Sequence, residues 1–200
     1  MPNIIALNRR AVRQSIDTVS RVTPADLDRP TPCEGWTLRD LLAHMTAQHR
    51  GFAAAARGKG EDLAVWETRP GEEYPAAYRE AAEDVLEAFA KGEAEVFALP
   101  ELGAGVTVPA AKAIGFHFID YVVHAWDVAV SLDIPFETPD EESLEAALAI
   151  ARAVPQGDHR LQEGAAFGPA LEVGPGATPF DEVLLLLGRT PRAQRRSRAS

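Results

Sequence analysis

Four ionisable side chains interrupt an otherwise apolar stretch, FHFIDYVVHAWD at 116–127: His117, Asp120, His124 and Asp127. Their steps of three, four and three place all of them within an arc of about 80° on one face of an α-helix. A surface helix would set its charges opposite an apolar stripe, and this stretch contains neither Lys nor Glu. The polar stripe is therefore expected to point inward, where an unpaired charge is expensive. A bound cation is the simplest relief, because divalent metals take imidazole and carboxylate ligands spaced about one helical turn apart. Asp120 and His124 have that i, i+4 spacing. The third ligand has to come from another element, and His44 is the candidate.

Two imidazoles and one carboxylate suit Zn²⁺, with Fe²⁺, Ni²⁺ or Mn²⁺ as alternatives, and match the facial arrangement of non-haem iron sites. Three protein ligands leave coordination positions open, as catalytic metal sites do. His117 and Asp127, one turn to either side, are the candidates for proton transfer. Asp127 could also orient an imidazole by accepting its other N–H, or hydrogen-bond Arg39 or Trp36. The competing structural reading is a set of satisfied core histidines, and for a lone His on an apolar face it would win. Cys33 precedes a helix start, where a thiolate is stabilised. No base stands beside it in sequence, and packing is its favoured reading. Trp36 and Trp126 either line a pocket or pack, with Trp36 the candidate for cofactor contact. His159 reads as solvated loop. Glycine-rich phosphate loops, GxSxG elbows and CxxC pairs are absent, which argues against nucleotide, serine-hydrolase and thioredoxin chemistry.

The elements that must position these residues read as helices. Ile4, Ile5, Val12, Ile16 and Val19 give an amphipathic helix over about 3–22. Thr23-Pro24 to Asp26 caps a short turn, and RPTPCEGW is a connection rich in Pro and Gly. Thr37 with Asp40 forms a capping box for a second helix. Its buried side is Leu38, Leu41, Leu42 and Met45, with His44 among them. His49 lies five residues further on and about 140° around, so it serves a different neighbourhood from His44. Residues 58–71 read as a loop whose Leu63, Val65 and Trp66 fold back. A third helix spans about 74–91, LPELGAGVTVP has room for a short hairpin, and a fourth helix runs from Pro109 to about Leu132. Thr138-Pro139 to Glu141 marks a fifth helix over about 139–153. A loop at 155–177 precedes a final short helix capped by Thr178 and Asp181. Long helices with short connections point to an antiparallel helical bundle.

Two hundred residues, 46% apolar and 25% charged, suit one soluble globular domain. The N-terminal Arg residues follow the first apolar run, the reverse of a signal peptide, and no apolar run spans a membrane. A single cysteine, Cys33, fits a reducing cytoplasm. The net charge of −10 hides an asymmetry: five Arg and no acid occupy 189–200, leaving −15 on residues 1–188. So acidic a body repels a nucleic-acid backbone. The expected division is a helical bundle at 1–188 and a basic, disordered tail at 189–200.

TPCEGWTLRDLLAHM, followed some 70 residues later by DYVVHAWDVA, resembles the DinB/YfiT-like superfamily. The similarity is greatest to the branch containing the N-terminal domain of mycothiol-dependent maleylpyruvate isomerase. TPFDEVLLLLGR resembles the end of that branch's small single-domain metal-binding members, so the likeness spans about residues 5–188. It implies an all-α, antiparallel four-helix bundle, up-down-down-up, here with extra short C-terminal helices. It also implies one divalent metal on three side chains, which fall on His44, Asp120 and His124. The isomerase has Glu where this chain has Asp120, and a C-terminal domain that residues 155–200 are too few to form. The implied function is metal-dependent thiol chemistry, an S-transferase or isomerase using a low-molecular-weight thiol such as mycothiol on a small electrophile. The alternatives are a metal-dependent hydrolase and a non-catalytic metal-binding or sensing module, as monomer or homodimer. No nucleic-acid or membrane partner is expected.

Overall fold

In the computed structural model, which describes residues 3–161 and 167–191 without the side chain of His159, Asn3 opens the first helix. Its Oδ1 accepts from the backbone N–H of Ile5 and Ala6 at 3.1 and 3.3 Å, starting α1 (Ile4–Val19). The buried positions Leu7, Ala11, Val12, Ile16 and Val19 recur at helical spacing. Helix α2 (Leu38–Ala56) starts at the expected capping box: the Asp40 carboxylate accepts from the Thr37 backbone N–H at 2.9 Å and hydroxyl at 2.6 Å. The connection before it is tightly folded. Leu38 and Arg39 donate backbone N–H groups to Arg29 and Leu27, Thr31 donates to the Trp36 carbonyl, and Gly35 takes φ 77°.

The 58–71 segment carries one short 3₁₀ turn, Leu63–Val65. Only part of it folds back as expected. Trp66 packs edge-on against Phe52 and donates its indole N–H to the Gly60 carbonyl at 2.9 Å, whereas Leu63 is 62% exposed. Helix α3 (Pro75–Lys91) ends at Gly92 in the left-handed region, φ 61°. The anticipated hairpin is present as β1 (Val96–Ala98) paired antiparallel with β2 (Thr107–Pro109), register Phe97 to Val108. Helix α4 (Ala110–Leu132) follows directly and buries residues around most of its circumference. Such a helix is central rather than peripheral: α4 packs on α1 and α2, while α2 and α1 both pack on α3. The fold is thus mostly helical with one two-stranded sheet.

The chain divides into two compact units, residues 1–136 and 137–200, a boundary the sequence reading did not draw. The second unit holds α5 (Glu141–Ala153) and α6 (Pro179–Leu186), which pack on each other, with Arg152 paired to Glu182 at 2.7 Å. The start of α5 corrects the expected Thr138 cap. Asp140 is the cap instead, its Oδ1 accepting from the Ser143 N–H at 2.9 Å, so the helix begins two residues later. Thr178 and Asp181 do form the box expected for α6. The basic tail does not begin at 189: Arg189 is buried and its guanidinium lies 5.6 Å from the Phe167 ring. Residues 192–200 lie outside the described residues.

Gly51 of α2 is where the Trp66 ring lies on the helix; a Cβ there would meet ring atoms at 2.1 Å. Gly51→Ala is expected to push Trp66 off α2 and destabilise the protein by about 1–3 kcal/mol. Urea unfolding measures the loss, and a red-shifted tryptophan emission in the folded state reports the displaced ring. Unchanged stability and emission would refute this packing.

Candidate functional site

Helices α2 and α4 bring the three expected ligands together. His44 on α2 faces Asp120 and His124 on α4, and one ligand atom from each lies within 4.8 Å of the others. His124 Nε2 is 3.2 Å from Asp120 Oδ1. The His44 and His124 rings stand edge to face, centroids 5.6 Å apart at 80°. His44 and Asp120 are half-buried while His124 is nearly sealed, so the group is approachable from one side. The other ring nitrogen of His124 is also held: Nδ1 lies 2.9 Å from Oδ2 of Asp127, a fully buried carboxylate. That is the arrangement in which a carboxylate fixes the tautomer and orientation of a ligating imidazole.

The charges sharpen this picture. Burial alone would raise the Asp120 carboxyl, but the positive charge and hydrogen bond of His124 outweigh it and hold Asp120 at about 2. Burial likewise works against a charged His124, and the carboxylates of Asp120 and Asp127 overcome it, raising His124 well above 6.5. An imidazole set between two carboxylates binds something positive at its centre, either a proton or a metal ion. Two nitrogens and one carboxylate oxygen are a donor set that Zn²⁺ and its neighbours accept.

Trp36 sits edge-on to His44, ring centroids 4.9 Å apart. Arg39, considered as a partner of Asp127, pairs instead with Glu73 at 3.1 Å. Trp126 is buried. Cys33, read from sequence as packing, donates its S–H to Asp127 Oδ2 at 3.4 Å. Its proximity depends on the folded 30–37 connection, which residue spacing on a helix does not encode.

His117 does not join this group. Its ring is fully buried, with Nδ1 2.7 Å from Asn8 Oδ1 on α1 and Nε2 3.1 Å from His49 Nδ1 on α2. The tautomers follow from the acceptor at one end. Asn8 Oδ1 accepts, so His117 carries its proton on Nδ1, and His49 must then donate from Nδ1 into His117 Nε2. Tyr121 stacks on both rings, centroids 3.9 Å from His49 and 4.3 Å from His117, and Phe52 and Phe89 close the His117 side. His117, expected from its spacing to serve in proton transfer, is thus placed apart from the His44 group, in a sealed setting of its own. His49 and Asn8 are residues the sequence reading missed. The signal available was the placement of His49 on a different arc of α2 from His44; what it pairs with requires the rotational setting of three helices.

The family comparison can now be set beside this geometry. Residues 8–129 match the family model of the mycothiol maleylpyruvate isomerase N-terminal domain. The chain belongs to that family. Two uncharacterized proteins of Mycobacterium tuberculosis, from two strains, are each 31% identical over 182 residues, covering 87% of this chain and 91% of the relative. No solved structure gives a significant match. The family segment contains His44, Asp120, His124 and Asp127 as well as the buried His49–His117 pair. No helix among the described residues is long and apolar enough to cross a membrane.

Burial lowers His117 from 6.5 to about 3, and this gives a signed pH dependence. Above pH 6.5 the ring is neutral whether the chain is folded or not, and it adds no slope. Below that value the unfolded chain takes up a proton that the folded one refuses, so stability falls as pH drops, until about 3. The loss is roughly 1.4 kcal/mol per pH unit, or about 2 kcal/mol between pH 6.5 and 5. His117→Gln is expected to be less stable than wild type at neutral pH but to lose about that much less on acidification. Urea melts of both proteins across this range test it, and parallel pH profiles would exclude a neutral buried His117.

Proposed function

We propose that the protein is a divalent-metal-dependent enzyme of thiol chemistry, built on an up-down-down-up four-helix bundle of the DinB type. In this reading it is an S-transferase or isomerase acting with a low-molecular-weight thiol, such as mycothiol, on a small electrophilic substrate. The observation that carries the proposal is the meeting of His44 with Asp120 and His124, in a chain of the mycothiol maleylpyruvate isomerase N-terminal domain family. Zn²⁺ suits this donor set best.

His44, Asp120 and His124 would hold the ion, three ligands that leave coordination positions free for substrate. When bound, the ion supplies Lewis acidity that lowers the pKa of a coordinated thiol so that thiolate forms near neutral pH. The remaining work falls to the chain. Asp127 keeps the Nδ1 proton of His124 in place, directing Nε2 toward the ligand group. Trp36 braces the His44 ring edge-on and offers an apolar wall against which the thiol's carbon chain packs. Asp120, itself a ligand, is half-buried and lies nearer to solvent than the sealed Asp127 and His117.

Purified wild type is expected to hold at least one equivalent of divalent metal by elemental analysis in zinc-supplemented buffer, and His124→Ala far less. Metal-loaded wild type should then consume a small thiol in the presence of electrophiles such as maleyl or epoxide compounds, and His124→Ala should do so at least 100-fold more slowly. Equal metal in both proteins would remove His124 from the site. Turnover of a substrate without any thiol would replace thiol transfer by hydrolysis.

A further inference from the structure

The two nitrogens of the His124 ring face different donor sets. Nε2 lies toward Asp120 and His44, whereas Nδ1 lies 2.9 Å from Asp127 Oδ2. Cys33 Sγ approaches the same Asp127 oxygen at 3.4 Å. Ligand atoms of Cys33, His124 and Asp127 all fall within 4.8 Å of one another, forming a group as compact as the first. We propose that Cys33, His124 and Asp127 make a second cation position, suited to a thiophilic divalent ion such as Zn²⁺ or Cd²⁺, which shares the His124 ring with the position at His44 and Asp120.

Three features support it. The first is spacing. Bonds of about 2.0–2.3 Å around a tetrahedral zinc put neighbouring ligand atoms roughly 3.3–3.7 Å apart. The 3.4 Å contact lies in that interval, and the 2.9 Å contact needs only a few tenths of an ångström of opening. The second is donor chemistry. A sulfur, a nitrogen and a carboxylate oxygen form a softer set than the two nitrogens and one oxygen of the first group, so thiophilic ions favour the Cys33 side. The third is access. Asp127 is fully buried, but Cys33 is only half-buried, on the connection that precedes α2. An ion therefore enters past the sulfur.

Binding is a replacement of protons by a cation. The Cys33 S–H proton and the His124 Nδ1 proton, which now occupy the space beside Asp127 Oδ2, leave to solvent. The thiolate and the ring nitrogen then take the ion, and Asp127 changes from hydrogen-bond acceptor to ligand. With both positions filled, the Nε2 proton would leave to solvent as well, and His124 would offer one nitrogen to each position. The proposal does not require the thiol reaction proposed above, because it concerns a position with its own sulfur.

Cys33 is the chain's single cysteine, so any sulfur-to-metal charge-transfer absorption reports on this position alone. The experiment titrates the full chain with Cd²⁺ and, separately, Co²⁺, reading near-ultraviolet absorption and stoichiometry by equilibrium dialysis. Wild type is expected to bind two equivalents and to show the thiolate band. Cys33→Ser should lose the band and one equivalent, while His44→Ala should lose one equivalent and keep the band. Asp127→Asn should weaken the band-forming equivalent about tenfold or more. Circular dichroism checks that each variant is folded, and Cys33→Ser, the smallest change, carries the test if Asp127→Asn is not. A saturated wild type without the band, or the same stoichiometry in wild type and Cys33→Ser, overturns the proposal. So does a band that survives undiminished in folded His124→Ala, which would make Cys33 an isolated surface thiol. A wild type that binds only the band-forming equivalent, with His44→Ala binding the same, would count against the function proposed above and leave this one standing.

Discussion

A helix that buries two histidines and a carboxylate cannot settle against just any neighbour. Each of those groups costs about 1–3 kcal/mol or more if desolvated without a partner. The side chains of α4 therefore dictate what α1 and α2 must bring to them. Asn8 from α1 and His49 from α2 meet His117, and His44 from α2 meets the Asp120–His124 pair. Apolar packing is tolerant of small rotations and slides, but these pairings are not, because hydrogen bonds weaken steeply with distance and angle. In this sense the polar stripe of α4, rather than the apolar residues around it, fixes the register of the first unit.

The same stripe separates into two environments within seven residues, about two helical turns. At His117 the walls are Tyr121, Phe52 and Phe89, and burial outweighs the attraction of the Asp120 charge and keeps the ring neutral. At His124 two carboxylates flank the ring and it holds positive charge despite its burial. Identical side chains on one helix face thus take opposite protonation states. The cause is which charges their neighbours bring, as burial is common to both. Position 117 is closed in on every described side, whereas position 124 lies beside half-buried His44 and Asp120.

Local grammar carried most of what was legible in the sequence. The boxes at Thr37 and Thr178, the helix spans to within a few residues and the short hairpin before α4 all follow from signals contained in a single turn or strand. Thr138 shows the limit of that grammar: Asp140, two residues on, is an equally good acceptor and takes the cap. The meeting of His44, Asp120 and His124 was legible because two of them are one turn apart on one helix and the third lies on the buried side of another. The partners of His117 and the nearness of Cys33 to Asp127 were not. The first depends on how three helices are rotated about their axes. The second depends on a folded connection with Gly35 in a positive-φ conformation. Neither leaves a periodicity in the chain.

That connection and α4 are tied by a single oxygen. Oδ2 of Asp127 accepts both the Nδ1–H of His124 and the S–H of Cys33. The His124 ring is thereby gripped at both nitrogens, by Asp127 on one side and Asp120 on the other, and it cannot flip without breaking both contacts in a site from which water is largely excluded. Asp120 reaches the ring at 3.2 Å because the two residues are one helical turn apart. His44, on the separate helix α2, is the member of the group that has to be brought to this pair. The placement of α2, set by the Thr37–Asp40 box and by the loop anchored at Cys33, is consequently what decides whether three ligands meet or only two.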